Sequence, residues 1–361
     1  MLGPLIRRFS SLAYKHPKIP EKRARNGSFG KLKIALLADY LTAVSLAQEC
    51  SVALLQPNNY RQILLEWRPD LVFVESAFHG VRDEWRYRLA KQPFYFRLGK
   101  DSAIRGIAEL AKERNIPACF WNKDDGPFFN AFLDVARLFP FVFTTDQNCL
   151  NNYRRKLPGS SKANLLPMAY QPAFHNFTGF NFEIPGACFV GSYYRKFFNK
   201  RKQFLDSLFK TASENRVSVH VYDRNSHRFS HFFEFRFPTD IKLHIHPGVS
   251  YPETAALFKK YALSINVNSV TSSPTMLSRR LLEILACGGI CLTNRTLCVE
   301  KEFSDYCIIV DSPDSAAETF LRLAHGPGNI EKEKARAGAE YVRGKHTWNH
   351  RLEQLADTLN F

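Results

Sequence analysis

The sequence lacks the features that assign many proteins to a class at once. No apolar run approaches the roughly 20 residues of a membrane-spanning helix. The N-terminus has no apolar core of about 7–15 residues, as a signal peptide would. A G-x-G-x-x-G fingerprint, a P-loop and a Ser-His-Asp ordering are also absent. These absences favour a protein that resides in the cytoplasm and carries no common phosphate-binding motif.

Acidic residues are scarce relative to basic ones, 34 against 50, which gives a formal net charge of +16. Residues 1–33 supply half of this charge, because they hold nine Lys or Arg and one Glu. Within them, residues 5–14 have the pattern of a short basic amphipathic helix that would lie on an anionic membrane surface. A solvated, partly disordered arm is the alternative. The remaining charge suits a partner rich in phosphate, whether a nucleotide, a lipid headgroup or a nucleic acid.

The composition is typical of a well-packed globular protein. A chain of 361 residues with 45% hydrophobic and 14% aromatic residues predicts two domains of roughly 150 residues each. The eight cysteines are scattered, mostly within apolar runs, and we expect buried thiols in a reducing compartment. Cys287 and Cys291 have a metal-like spacing but fall on a helix end and a buried strand, so we expect no metal there.

Short apolar strands alternate with amphipathic helices, and this alternation predicts an α/β fold with two doubly wound, mostly parallel sheets. The predicted strands are 33–37, 52–55, 71–74, 94–96, 118–121, 142–144, 164–166, 187–190, 217–222, 242–244, 263–267, 290–293 and 308–310. The predicted helices include 43–50, 61–66, 83–91, 103–114, 330–344 and 349–359. The predicted organisation is a basic arm (1–30), an N-terminal Rossmann-like domain (31–170), a linker (171–185), a C-terminal Rossmann-like domain (186–335) and C-terminal helices (336–361). Ligands of such folds bind in a cleft at the carboxyl ends of the strands.

Residues 278–294 carry the most informative pattern. Apolar residues repeat at helical spacing until Gly288 and Gly289 end the helix, and a buried strand follows. Arg280 and Glu283 are three residues apart, so they share one helical face. A Glu there can accept two hydroxyl hydrogen bonds from a ribose, and a neighbouring Arg can neutralise a diphosphate. A surface salt bridge is the alternative.

A second pattern of this kind follows the strand 187–190. Gly191 and Ser192 end that strand, and a Gly in this place lets the backbone approach a phosphate. A basic cluster comes next: Arg195, Lys196, Lys200 and Arg201. An ordinary turn with solvated cations is the alternative. Tyr222 and Tyr251 follow other strands of this domain and could stack on a base, although core packing is commoner.

Acidic residues of the first domain gather after predicted strands. Glu75 follows the strand 71–74, and Asp124 and Asp125 follow the strand 118–121. A carboxylate in a closed cleft has a raised pKa and can act as a general base, so these three are candidate catalytic residues. Helix caps and loop solvation are the alternatives. Asp39 precedes a predicted helix and is interpreted as its N-cap.

Six segments, taken in order, resemble the CgeB-like (spore maturation protein-like) glycosyltransferases of GT-B architecture. They are residues 120–125, 142–146, 166–169, 189–192, 280–288 and 346–351. The resemblance implies two Rossmann-like domains that face a cleft, with C-terminal helices (336–361) that pack back on the N-terminal domain. It also implies that the C-terminal domain binds a nucleotide-diphosphate sugar, with UDP favoured, and that the N-terminal domain binds the acceptor.

The resemblance assigns roles to five residues. Glu283 would hold the donor ribose, Gly191 and Ser192 would form the loop beside the diphosphate, and Arg201 and Arg280 would be its cationic partners. Retaining relatives often carry a second Glu before the ribose-binding one, with seven residues between the two. This chain has Thr275 at that position, so the stereochemical outcome at the transferred sugar, retaining or inverting, is left open. The chain also has no Asp-x-Asp, which often supports metal-dependent sugar transfer in the other main transferase fold.

We therefore expect a glycosyltransferase of surface polysaccharide biosynthesis, in the cytoplasm or peripheral at the inner face of the membrane. Its acceptor would be a glycan, or a lipid-linked or phosphate-bearing molecule, and its only co-substrate the nucleotide sugar, without a metal or other cofactor. Asp124, Asp125 or Glu75 would be the base of an inverting reaction, and cationic side chains would stabilise the leaving diphosphate. Two alternatives stay open: a non-catalytic GT-B scaffold or sugar-nucleotide sensor, and a basic nucleic-acid-binding protein, although no nucleic-acid motif is present.

Overall fold

The computed structural model describes residues 17–91, 102–323 and 325–361. Contacts divide the chain into two compact units. The N-terminal unit comprises Lys18–Gln171, Ser273–Met276 and His346–Phe361, and the C-terminal unit comprises Pro172–Ser272 and Leu277–Lys345. No described helix combines the length and the apolar character needed to cross a membrane.

The N-terminal unit is built on a parallel six-stranded sheet. Its strands are β1 (Lys33–Leu37), β2 (Ser51–Leu54), β3 (Leu71–Glu75), β4 (Ala118–Asn122), β5 (Phe141–Thr144) and β6 (Lys162–Leu165), in the spatial order β2-β1-β3-β4-β5-β6. The intervening helices are α1 (Tyr40–Glu49), α2 (Tyr60–Gln62, continued by a π-helix over Ile63–Trp67), α3 (Ser102–Glu113), α4 (Phe129–Ala136) and α5 (Leu150–Lys156). Val72 and Val74 of β3 pack in one core, and Leu71 and Phe73 pack in another on the opposite face. Burial on both faces is what the continuous apolar strands of a parallel sheet predict.

The C-terminal unit repeats this architecture. Its strands are β7 (Ile184–Gly191), β8 (Val219–Asp223), β9 (His244–Pro247), β10 (Tyr261–Ile265), β11 (Cys291–Asn294) and β12 (Cys307–Val310), all parallel, in the order β12-β11-β10-β7-β8-β9. Its helices are α6 (Asn199–Glu214), α7 (His231–Glu234), α8 (Thr254–Lys260), α9 (Arg279–Ala286), α10 (Leu297–Glu302), α11 (Pro313–Arg322) and α12 (Asn329–Lys345). Gly288 follows α9 with a φ of 72°, the left-handed conformation that commonly ends a helix. The two-sheet α/β fold predicted from the alternation of strands and helices is confirmed.

The last helix, α13 (Trp348–Leu359), belongs to the N-terminal unit. Trp348 packs edge-on against Trp121 of β4, with ring centroids 5.6 Å apart. The predicted segment of returning helices began earlier, at residue 336. Residues 336–345 instead form the second half of α12 within the C-terminal unit. Gly338 allows this close packing, because a Cβ there would lie 3.2 Å from Cδ2 of Leu285 on α9.

Other predictions differ from the structure in the N-terminal unit. The helix predicted over 83–91 is wrong: these residues form turns, with left-handed backbone at Asp83 and Tyr87. Trp85 and Leu89 are buried four residues apart, which imitates a helical pattern. The strand predicted over 94–96 and the amphipathic helix predicted over 5–14 lie outside the described residues. The second half of the predicted arm packs on the N-terminal unit through Ile19.

Candidate functional site

Gly191 ends β7 at the carboxyl edge of the second sheet and makes room for Arg280. A Cβ at position 191 would lie 2.4 Å from Nη2 of Arg280, a separation that side chains do not adopt. The guanidinium of Arg280, from the first turn of α9, therefore lies directly against the backbone of Gly191. Gly191 and Arg280 are 89 positions apart in the sequence and are in contact in the structure. The sequence analysis predicted both as residues of a diphosphate site.

Two guanidinium groups share the ring of Phe189. Arg280 lies 5.1 Å from its centroid and Arg201 lies 6.0 Å from it. Nη2 of Arg201 also donates to the carbonyl oxygen of Ser192 at 2.8 Å, which ties the loop after β7 to the start of α6. Burial, and then the charge of Arg201, lower the pKa of Arg280 to about 10. Burial likewise lowers the pKa of Arg201 to about 10. An anion bound beside both groups would relieve this cost, so the pair suits an anionic ligand.

Glu283 is nearly buried in the middle of α9, and its partner is Arg279. Oε1 of Glu283 lies 3.0 Å from Nε of Arg279, one turn earlier, and the Arg279 guanidinium lies over the ring of Tyr251. The spacing in the sequence predicted that Glu283 and Arg280 lie together on one helical face. The side chain of Arg280 instead lies against Gly191. Sequence reasoning missed Arg279, although its spacing of four residues from Glu283 is the signal of a helical ion pair.

A pocket of about 200 Å³ opens beside Arg201. Its lining is Lys200, Arg201, Phe204, Asn268, Ser269, Thr271, Asn294, Arg295, Val310 and Asp311. Asn268 and Asn294 are buried there and are hydrogen-bonded to each other. The backbone N–H of Asn268 donates to Oδ1 of Asn294 at 2.8 Å. Oδ1 of Asn268 also accepts from the amide N–H of Ser278 at 2.7 Å, which fixes the start of α9. Cations and amides together suit a polar, anionic ligand. No motif marks these two Asn residues in the sequence.

Tyr222 lies elsewhere. Val221 packs in the same core cluster as Phe189, so the next residue along β8 faces the opposite side of the sheet. There the Tyr222 ring stacks on His246 at 4.8 Å, and its hydroxyl lies 3.0 Å from that of Tyr261. The structure therefore does not bring Tyr222 to the other predicted donor-binding residues.

In the N-terminal unit, carboxylates surround one partly buried ammonium group. Nζ of Lys123, just after β4, lies 2.9 Å from Oδ2 of Asp39 and forms an ion pair with Oε1 of Glu75. Burial alone would lower the pKa of Lys123, but the charges of Asp39, Glu75 and Asp124 raise it well above its ordinary value. The ammonium group is therefore a permanent cation that holds these carboxylates together.

The two carboxylates that bond Lys123 differ in their environments. Glu75 is fully buried, and burial raises its pKa to about 7 against the opposing effect of Lys123. Asp39 occupies the N-cap position of α1, but its side chain makes no capping hydrogen bond. It accepts instead from the amide N–H groups of His79 and Gly80, at 3.2 and 2.9 Å. Burial would raise the pKa of Asp39, and Lys123 with these amides lowers it below its ordinary value. The predicted N-cap position of Asp39 is confirmed, but its side chain does not cap α1, because Lys123 and the loop amides compete for its carboxylate.

The other two predicted catalytic residues are adjacent but unlike. Asp125 is fully buried, and its Oδ1 accepts from Nδ2 of Asn122 at 2.6 Å and from the Tyr153 hydroxyl at 3.0 Å. Burial raises the pKa of Asp125 to about 8. Asp124 is partly exposed, and its Oδ2 accepts from the Ser76 hydroxyl at 3.2 Å. Of Glu75, Asp124 and Asp125, only Asp124 has surface that an acceptor can reach.

Substitution of Asp125 by Asn is expected to flatten the pH dependence of stability. A buried carboxyl with a raised pKa stabilises the fold in its protonated form. This contribution is complete below the pKa of the unfolded state, near 4, and is lost as the pH rises through the pKa of the folded state, about 8. The melting temperature of Asp125→Asn should therefore rise relative to wild type between about pH 5 and about pH 9. Asp134→Asn, at an exposed position, is the control. A difference that stays constant across this range would contradict a neutral Asp125.

Comparison with known proteins places this geometry in context. Residues 195–357 match a family model described as glycosyl transferase-like, and the matched range includes Arg201, Arg280 and Glu283. No curated protein matches the chain.

Solved structures of low sequence identity share the fold. A sucrose-phosphate synthase from Thermosynechococcus elongatus matches with a TM-score of 0.50 and 9% identity, over 87% of this chain and 83% of that chain. An alpha,alpha-trehalose-phosphate synthase (UDP-forming) from Burkholderia vietnamiensis matches with a TM-score of 0.51 and 12% identity, over 84% and 76%. TarM matches with a TM-score of 0.50 and 10% identity, over 84% of this chain and 58% of that chain. The fold is therefore that of GT-B glycosyltransferases, and the C-terminal part carries the glycosyl transferase-like match. The narrower resemblance to CgeB-like enzymes stays a prediction.

Proposed function

We propose that the protein is a glycosyltransferase that binds a nucleotide-diphosphate sugar through its C-terminal unit. The sugar would pass to a glycan, or to a lipid-linked or phosphate-bearing acceptor, in surface polysaccharide biosynthesis. The contact of Arg280 with the Gly191 backbone, with Arg201 on the same Phe189 ring, carries this proposal. It concentrates two cations, Arg201 buried and Arg280 partly buried, at the carboxyl edge of a parallel sheet, where such folds bind ligands.

The donor chemistry follows from these cations. Cleavage of the bond between the sugar and the diphosphate leaves negative charge on the diphosphate, and preorganised cations stabilise that charge in the transition state. Arg201 and Arg280 are already in place and carry the cost of desolvation before the donor binds. We propose that they neutralise the leaving group without a divalent metal, a point that chelation tests.

The nucleoside would be held by Glu283. Its ion pair with Arg279 fixes the carboxylate within α9, and its oxygens would accept hydrogen bonds from the two ribose hydroxyls. UDP is the favoured nucleotide, which agrees with the name of a structural neighbour, a UDP-forming synthase. The pocket beside Arg201 lies in the same unit, and the cations and amides in its lining suit the rest of the donor.

On the acceptor side we assign the base of an inverting reaction to Asp124. A base must reach the hydroxyl that it deprotonates, and Asp124 is the partly exposed member of the three predicted carboxylates. Glu75 and Asp125 are fully buried, so we propose positioning roles for both. Glu75 acts through Lys123, and Asp125 acts through Asn122 and Tyr153.

A thermal-shift panel of UDP, GDP, CDP and dTDP in EDTA tests donor recognition. One diphosphate should raise the melting temperature of the full chain, because a ligand that binds only the folded state stabilises it. Glu283→Ala should lose most of this shift, whereas Glu214→Ala, an exposed glutamate of the same unit, should retain it. An undiminished shift in Glu283→Ala would overturn the ribose assignment. The absence of any shift in wild type would overturn the proposed function.

A further inference from the structure

Four phenylalanine side chains of the C-terminal unit are exposed to solvent. Phe197, Phe229, Phe232 and Phe233 have exposed fractions of 64, 64, 56 and 62%. We call them the phenylalanine patch. Large apolar side chains that are exposed together mark interaction sites more often than isolated ones do. None of the four takes part in the proposed donor site.

The patch is held in a defined conformation by contacts beneath it. The amide N–H of Arg195 donates to the carbonyl oxygen of Glu234 at 2.9 Å, which joins the loop that carries Phe197 to α7. Below them, the rings of Tyr194 and Phe235 lie 5.7 Å apart. These contacts join the segment that carries Phe197 to the segment that carries the other three exposed rings.

Basic residues are interleaved with the exposed rings. The segments 194–200 and 224–236 contain six Lys or Arg and one Glu. The basic residues are Arg195, Lys196, Lys200, Arg224, Arg228 and Arg236. The guanidinium of Arg236 lies over the ring of Phe232, 5.0 Å from its centroid. The surface is thus both apolar and cationic.

We propose that the phenylalanine patch binds the surface of an anionic lipid bilayer. Apolar rings can enter the boundary between headgroups and acyl chains while the interleaved cations pair with anionic headgroups. A nucleic-acid surface is less well matched, because stacking platforms for bases are typically formed on a sheet face, whereas three of these rings lie on or beside the four-residue helix α7. The patch is separate from the basic arm that the sequence suggested for membrane binding, and the inference does not depend on the proposed function.

Co-sedimentation of the full chain with vesicles tests the proposal. Wild type should bind vesicles of phosphatidylcholine with about one third phosphatidylglycerol, and should bind pure phosphatidylcholine vesicles weakly. The variant Phe229→Ser/Phe232→Ser/Phe233→Ser should partition at least about tenfold less, because the apolar contribution is lost. Leu321→Ser/Ile330→Ser, which changes two exposed apolar residues of the same unit, is the control.

A second variant separates loss of binding from loss of fold. Lys196→Glu/Arg236→Glu changes two exposed residues and keeps the phenylalanine rings. It should weaken binding to the anionic vesicles and leave the weak binding to pure phosphatidylcholine vesicles unchanged. Equal sedimentation of wild type and both variants would overturn the proposal, as would an absence of wild-type binding. Loss of single-stranded RNA binding in the Phe variant, with vesicle binding retained, would also overturn it in favour of a nucleic acid.

Discussion

Replacement of Lys123 by Met is expected to destabilise the protein by about 3–5 kcal/mol, because it leaves buried carboxylates without their cation. Glu75 is fully buried, and both Glu75 and Asp39 bond the Lys123 ammonium group. Met fills a similar volume, so the loss measures the uncompensated charge and not a cavity. Urea denaturation at neutral pH gives the free energy of unfolding of the variant and of wild type.

Two further measurements identify the cause. The deficit of Lys123→Met should shrink as the pH falls, because a raised pKa makes folded Glu75 bind its proton before the unfolded chain does, and protonation removes the unpaired charge. Lys123→Met/Glu75→Gln should recover part of the stability. Lys112→Met, at an exposed position, should change the free energy of unfolding by less than about 0.5 kcal/mol. A Lys123→Met variant as stable as that control would disprove the role of the ion pairs.

Replacement of Arg280 by Gln is expected to weaken binding of the nucleoside diphosphate about 100-fold, equivalent to about 3 kcal/mol. The substitution removes one of the two guanidinium groups on Phe189 and leaves a shorter, uncharged polar side chain. Arg343→Gln changes an exposed arginine of α12 in the same unit and should leave the affinity unchanged. Calorimetric titration in EDTA gives the dissociation constants.

Gly191→Ala tests the same contact without removing a charge. The added Cβ would lie 2.4 Å from Nη2 of Arg280, so the flexible end of that side chain must move away. We expect weaker diphosphate binding, by less than in Arg280→Gln. Gly344→Ala, where a Cβ meets no neighbour within 4 Å, is the matched control. Unchanged affinity in Gly191→Ala would show that the ligand does not bind where Arg280 now lies.

The fold, and the placement of Gly191 and Arg280 at one edge of the second sheet, could be predicted because their signals are local. Most strands of both sheets are short apolar runs, which places their carboxyl ends in the sequence to within a few residues; β9 is a polar exception. Gly191 is the last residue of β7. Arg280 lies in the first turn of α9, and Gly288 follows the end of that helix. General topology then brings strand ends and helix starts to one edge of a sheet, so the two residues meet without any knowledge of long-range contacts.

The rest of the site depends on contacts between distant positions, which no local spacing reveals. Lys123 and Asp39 bond across 84 residues, so their pairing is invisible in the sequence. From the sequence alone, Asp39 therefore looks like a residue whose side chain caps α1, and its bond to Lys123 is not apparent. Asn268 follows β10 and Asn294 is the last residue of β11, and only their mutual hydrogen bonds distinguish them from ordinary strand-end residues.

Transfer of labelled sugar is the most direct test of the account. The full chain is incubated in EDTA with labelled nucleotide sugars and a cell-envelope extract, and label is counted in the lipid and glycan fractions. We predict transfer from one nucleotide sugar by wild type and by Asp134→Asn. We also predict retained donor binding with at least about 100-fold slower transfer in Asp124→Asn. A wild-type chain that binds the donor and transfers no label, and releases no nucleoside diphosphate, would contradict the account and indicate a non-catalytic sugar-nucleotide sensor.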